Sequence, residues 1–170
     1  MDFFEVVEKR RSIRKFLSKK IEEEKLLKLL NTANLAPSAG NLQAFEIFLV
    51  RDEKKKQMIC KASYNQDFIK EADVVLIFCA NPSRSMKWYG ERGEFYALQD
   101  ATISAAYVQL AAAALGLGSV WIGAFDEKKI SEIIELSDNL RPVAIIPIGY
   151  PAEAPTKKPR RKLNDLVKQV

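Results

Sequence analysis

Arg10-Arg11-Ser12-Ile13-Arg14-Lys15-Phe16 sets four cations and a hydroxyl in seven positions, directly after an apolar segment. Arg10 and Arg14 stand four residues apart with Ser12 between them. Together they offer two fork-shaped guanidinium donors and a hydroxyl, a set that suits a phosphate or a polarised ring oxygen. The same run reads equally as a solvated basic face. A second concentration of charge, Lys157 to Lys162 ("KKPRRK"), lies near the other end of the chain. It can be a solvated tail, a nucleic-acid contact, or a second set of cations for the anion that Arg10 faces. Between them, "PSAGNLQ" (37–43) joins small residues to the neutral donors and acceptors of Ser38, Asn41 and Gln43. This is a helix-stopping turn, or a place where a flat ligand approaches backbone. "GLGSVWIGAF" (116–125) looks like a phosphate loop, but it follows a helical pattern and lacks both G-x-G-x-x-G and the P-loop lysine, which excludes dinucleotide-fold and Walker readings.

The absence of histidine removes Ser-His-Asp and Cys-His relays and most catalytic zinc and non-haem iron sites. Chemistry in such a chain rides on a cofactor, with no side chain assigned as catalytic and no metal site. Cys60 and Cys79 are the only cysteines, sit in apolar surroundings and have no metal-ligand spacing, so they read as buried thiols. The net charge of +5 favours an anionic ligand without demanding nucleic acid. No apolar run is long enough to span a bilayer and the start has no secretory pattern, so a soluble cytoplasmic protein with no membrane partner is expected.

Positioning these residues requires a substantial core, and 170 residues at 48% hydrophobic content supply one, read as a single domain over 1–170 with a C-terminal arm at about 151–170. Apolar spacing predicts helices over Asp2 to about Arg10 and Ile21 to about Ala36, the second ended by Pro37. "AFEIFLV" alternates as a strand, Asp52 to about Lys61 reads as a charged helix, and "ADVVLIFCA" is a continuous apolar run suited to a central strand covered on both faces. Glu94 to Leu115, alanine-rich and apolar on nearly every side, is the central helix. "SVWIGAF" is a short extended piece, and Asp126 caps a further helix to Leu136. "PVAIIPIGYP" is a last interior strand in which Pro147 signals a bulge or an edge. The proline-rich tail cannot form its own core and must lie along this subunit or a partner.

Taken in order, "RRSIRKF", "APSAGNLQ", "GLGSVWIGAF" after an Ala-rich helix, "PIGYP" and "KKPRRKL" resemble the FMN-dependent nitroreductase family over nearly the whole chain. The resemblance implies an α+β fold: a central mixed, largely antiparallel sheet flanked by helices, in an intertwined homodimer with flavin sites at the interface. It implies that Arg10, Ser12, Lys158 and Arg160 hold the FMN phosphate and ribityl chain, with Arg11 beside them. Arg14 corresponds to a cation near the pyrimidine edge of the ring. Pro37, Ser38, Ala39, Asn41 and Gln43 match the stretch that reaches the flavin from the other subunit. The backbone of Trp121, Ile122 and Gly123 matches the segment beside N5 and O4, and Gln66 is a further polar contact. Many longer relatives carry a glutamate where this chain has Ile122, and the chain lacks some of their helical insertion over the pocket.

The activity implied is reduction of bound FMN by NADH or NADPH, followed by transfer of the electrons to a nitroaromatic, a quinone or a related small acceptor. A flavin-dependent dehydrogenase or flavin-modifying enzyme of the same fold is the alternative within the class, and a basic nucleic-acid-binding module using Lys157 to Lys162 is the alternative outside it.

Overall fold

A computed structural model describes residues 1–170. Its centre is a four-stranded sheet in the order β1-β2-β4-β3, formed by β1 (Phe45–Val50), β2 (Val74–Ala80), β3 (Gly118–Ser119) and β4 (Arg141–Gly149). Every strand pair is antiparallel, and the parallel component is one isolated bridge, Ser12 to Ser119. All seven residues of β2 are buried, as its unbroken apolar run requires of a strand covered on both faces.

Alternate side chains of β2 and β4 feed two cores. Leu76, Phe78 and Ile146 meet Leu26 and Leu29 of α2 (Glu23–Asn34) and Val108 of α6 (Arg92–Ala114). On the other face Val75, Ile77 and Ile145 pack on Ile59 of α3 (Glu53–Ala62), Ile69 of α4 (Phe68–Glu71) and Ile130 of α7 (Glu127–Ile133). The remaining helices are α1 (Phe3–Lys9), α5 (Pro82–Tyr89) and α8 (Leu163–Leu166). No helix is long and apolar enough to cross a membrane.

Two sequence expectations shift at their edges. The second helix starts at Glu23 instead of Ile21; Ile21 is buried and its N–H donates to Asp73 (2.8 Å). Pro147 lies inside β4, between β2 and β3. The register that pairs Gly118 with Gly149 and Ile122 with Ile145 sets Pro147 opposite Val120, where β3 has ended and the Ile122 bridge has not begun. A proline has no N–H to give at that step, so the interruption follows from its chemistry.

Residues 12–17 close the structure against the far end of the chain. The Ile13 N–H donates to the Ser119 carbonyl (3.0 Å), Leu17 N–H to Tyr150 (2.8 Å), and Ala152 N–H to Lys15 (2.9 Å). Two glycines let this segment lie flush. A Cβ on Gly118 would stand 2.8 Å from Ile13, and one on Gly149 would stand 2.9 Å from Phe16.

Candidate functional site

The pairing of residues 12–17 with 150–152 brings part of the basic tail near the first basic cluster: Lys157 pairs with Glu8, and Arg160 acts on the charge of Arg10. Arg10 and Arg11 line a cleft of about 350 Å³ together with Gly118, Ser119, Pro151 and Glu153. Arg10 is half-buried. Burial pushes its guanidinium below the ordinary range, and the like charges of Arg160 and Arg11 add to that effect. No carboxylate pairs with Arg10, Arg11, Arg14, Lys158 or Arg160; the ion pairs nearby are Lys9–Glu5 and Lys157–Glu8. Glu153 is spent on the Arg14 backbone N–H, and Arg11 donates to the Glu8 and Arg10 carbonyls (2.5 and 2.9 Å). Cations that repel one another in a partly desolvated cleft are an electrostatic cost to the fold unless an anion joins them. Lys158 is exposed, and Arg161 folds back on the Asp165 carbonyl.

The rest of this end of the site follows from strand register. Ile122 is buried, and both its N–H and its carbonyl are engaged by Ile145 (2.9 and 3.0 Å). Alternation along an extended chain then turns the backbone of Trp121 and Gly123 away from β4. Neither amide makes a hydrogen bond within the chain. Of the three residues, Trp121 and Gly123 therefore carry the free donors. Gln66 joins them from α3's far side, its amide donating to the Ser63 and Ala124 carbonyls (3.0 and 3.3 Å). Arg14 lies with its guanidinium 6.0 Å from the Phe68 ring, two residues beyond Gln66.

Pro37, Ser38, Ala39, Asn41 and Gln43 are elsewhere. Their loop is fastened to Asp100 of α6, whereas the cationic cleft includes Ala113 of the same helix. Thirteen residues of α-helix separate those contacts, roughly 20 Å. One chain thus presents two half-sites, one charged and one neutral. Sequence reasoning missed three residues that hold the neutral half. Asp100 accepts from Ala39 and Ala44, Arg84 donates twice to the Leu42 carbonyl, and the Tyr89 hydroxyl packs against Gly40. The available signal was a polar stripe, Asp100 and Ser104, on the alanine face of α6. No group of three or more Cys, Asp or Glu side chains is arranged to hold a metal ion.

The donor set fits FMN. Unpaired guanidinium groups and the Ser12 hydroxyl suit a phosphate, and free amides at the sheet edge suit the heteroatoms of a flavin ring. Comparison with known proteins agrees. The model of the Nitroreductase family matches residues 7–66 and 60–150. The FMN reductase (NADPH) of Bacillus subtilis is 28% identical over 170 residues, covering 92% of this chain and 68% of its own. A nitroreductase family protein from Clostridium novyi NT superposes with a TM-score of 0.83 at 36% identity, over 93% of this chain and 89% of that one. The NADPH:FMN oxidoreductase of Vibrio harveyi, solved with NAD+, gives 0.91 at 26% identity, over 98% and 76%. With the family model spanning most of its length, the chain belongs to the nitroreductase family.

Proposed function

We infer that this protein is an NAD(P)H-dependent FMN oxidoreductase of the nitroreductase type, acting as a homodimer. When bound, FMN supplies the redox chemistry, accepting a hydride from NADH or NADPH and passing the electrons to a small acceptor such as a nitroaromatic or a quinone. The chain's own residues bind and orient. Arg10, Arg11 and Arg160 neutralise the phosphate, with Lys158 within reach of the same arm, and Ser12 adds a hydroxyl donor. Arg14 places positive charge at the pyrimidine edge, which stabilises negative charge there. The Trp121 and Gly123 amides are the neutral donors along the ring, and Gln66, whose NH2 is engaged by the Ser63 and Ala124 carbonyls, offers its carbonyl oxygen as a polar contact. No side chain serves as a general acid or base, in keeping with a chain that has no histidine.

Dimerisation is the reading that unites the two half-sites. A second copy brings its Pro37–Gln43 loop to the ring held by the first. An apolar groove of about 700 Å³ supports it, lined by Phe3, Val6, Leu35, Tyr107, Leu110 and Leu115. Phe4 and Leu35 are 80% and 78% exposed in the single chain, a pattern that marks surfaces awaiting a partner. The arm beyond Pro155 is exposed and its α8 adds no buried residue, so it fits a role across the neighbouring subunit. Two free buried thiols and a nicotinamide donor support a cytoplasmic reading.

The observation that carries the proposal is that Arg10, Arg11 and Arg160 act on one another's charge with no carboxylate paired to any of them. Purified protein should carry, or take up, FMN stoichiometrically. The bound flavin should bleach with NADH or NADPH and recolour on addition of a quinone. A dimer-sized protein that stays colourless with excess FMN rules the proposal out.

A further inference from the structure

Asp100 lies 2% exposed on the alanine-rich face of α6, a carboxylate with no cation paired to it. Its two oxygens are committed separately. Oδ1 accepts the Ala39 N–H (3.0 Å) and Oδ2 accepts the Ala44 N–H (3.2 Å). These two amides bracket the loop, so one side chain fixes both of its ends. Between them Gly40, Asn41 and Gln43 all adopt left-handed backbone, with φ of 57°, 55° and 43°. Two of these are not glycine, and such conformations persist where surrounding contacts over-determine them.

The other contacts are in place. Arg84 of α5 donates through Nε and a terminal nitrogen to the Leu42 carbonyl at the loop's crest (3.1 and 2.9 Å). The Tyr89 hydroxyl fills the space beside Gly40, 2.5 Å from where a Cβ would stand. Ser38 Oγ accepts the Gln43 N–H (3.0 Å). One turn along α6 from Asp100, the Ser104 hydroxyl donates to Ala33 at the end of α2 (3.0 Å). A buried carboxylate costs stability against an apolar residue of similar size. An alanine face of α6 would hold α2 without it, so its presence marks a demand on loop shape.

We propose that Asp100, seconded by Arg84, is a positioning residue that pre-shapes the Pro37–Gln43 loop for the flavin ring and the acceptor. The inference rests on the functional reading above. The carboxylate does not touch the ring itself; it acts through the backbone it holds. An asparagine at position 100 keeps the volume but offers one oxygen and one NH2, so one loop amide would meet a second donor. The phosphate end is at the far end of α6 and does not depend on it.

The test compares wild type, Asp100→Asn and Arg84→Gln, each loaded with FMN. In Asp100→Asn, FMN affinity should change less than about 3-fold. Acceptor KM should rise about 10-fold with kcat nearly unchanged, the size of one lost charge-assisted bond. The visible circular dichroism of the bound flavin should weaken in parallel, and Arg84→Gln should shift both readouts in the same direction by less. Loss of thermal stability with KM and dichroism unchanged overturns the inference, because a purely structural residue behaves so. If Asp100→Asn does not fold, Arg84→Gln decides: wild-type KM and dichroism in that variant overturn it, and a raised KM with weakened dichroism upholds it. Wild-type protein that takes up no FMN overturns the functional reading together with this one, which separates the two failures.

Discussion

The two half-sites, set thirteen residues apart along α6, are built on contrary principles. At the Ala113 end, Arg10 and Arg11 face an open cleft without an ion pair, its one carboxylate, Glu153, accepting from the Arg14 backbone N–H. At the Asp100 end, a neutral loop has its key donors and acceptors matched from outside. The first is a region in which the isolated chain is electrostatically unfinished; the second is finished before any ligand arrives. On the proposed function, the difference teaches that affinity and fit are assigned to separate places, charge supplying the hold and shape supplying the choice of what meets the ring.

The harshest way to break the comparison is to remove what both ends share. Phe78 is fully buried in β2, in the core between sheet and α6. Phe78→Ala should cost about 3–5 kcal/mol of stability, read by denaturant melts, with loss of both half-sites at once. Wild-type stability would show that the sheet does not underlie them.

Next, Arg10→Ala should separate them. FMN affinity should fall by about 1.5–3 kcal/mol, roughly 10- to 150-fold. Because Arg10 is opposed by Arg160 and Arg11, the ligand-free protein should melt no lower than wild type. Unchanged FMN titration isotherms would remove the residue from the phosphate end.

A smaller effect should come from salt. At about 1 M ionic strength, where the screening length falls to ~3 Å, FMN binding should weaken several-fold while riboflavin, which lacks the phosphate, binds with little change. Equal losses for both flavins would mean that the cleft does not read the phosphate.

The finest test concerns Tyr150, at the root of the C-terminal arm. Its hydroxyl donates to Glu22, and Lys25 donates to it in turn (2.7 Å), with Lys19 and Lys25 over its ring. The hydrogen bond from Tyr150 is the main reason that the Glu22 carboxyl drops from 4.5 to about 2. A depressed carboxylate contributes stability that is present above the unfolded value and is lost as pH falls through about 2. Tyr150→Phe should move the Glu22 midpoint back up, measured by carboxyl NMR titration. An unmoved midpoint would assign the depression to the neighbouring lysines.

Much of the scaffold was legible because its signals are local. The apolar run of β2, the alanine-rich α6 and the Asp126 cap, which accepts from Lys129 (3.1 Å), all lie within single segments. The sequence assigned no element to Pro82–Tyr89, yet α5 forms there with a proline in its first turn. What holds it is tertiary: a Cβ on Gly93 would stand 2.5 Å from the Met86 nitrogen, so α5 and α6 pack nearly backbone to backbone. The same limit explains the site. Arg10 and Arg160 were visible as charge, but the link from Asp100 to Ala39 spans 61 positions and has no periodicity to announce it. Ile122 was drawn in by its neighbours' pattern, and only the register with β4 reveals that its amide is already engaged.

The zipper of residues 12–17 onto 118–119 and 150–152 also has a consequence in time. Residues 12–17 are translated before both of their partners, 118–119 and then 150–152. During synthesis the basic segment is therefore tethered to a growing chain without its docking surface, and the wall of the cleft supplied by Pro151 to Pro155 comes only after β4. A nascent chain stalled before Tyr150 would carry the arginines and the 116–119 wall of the cleft but not the wall opposite.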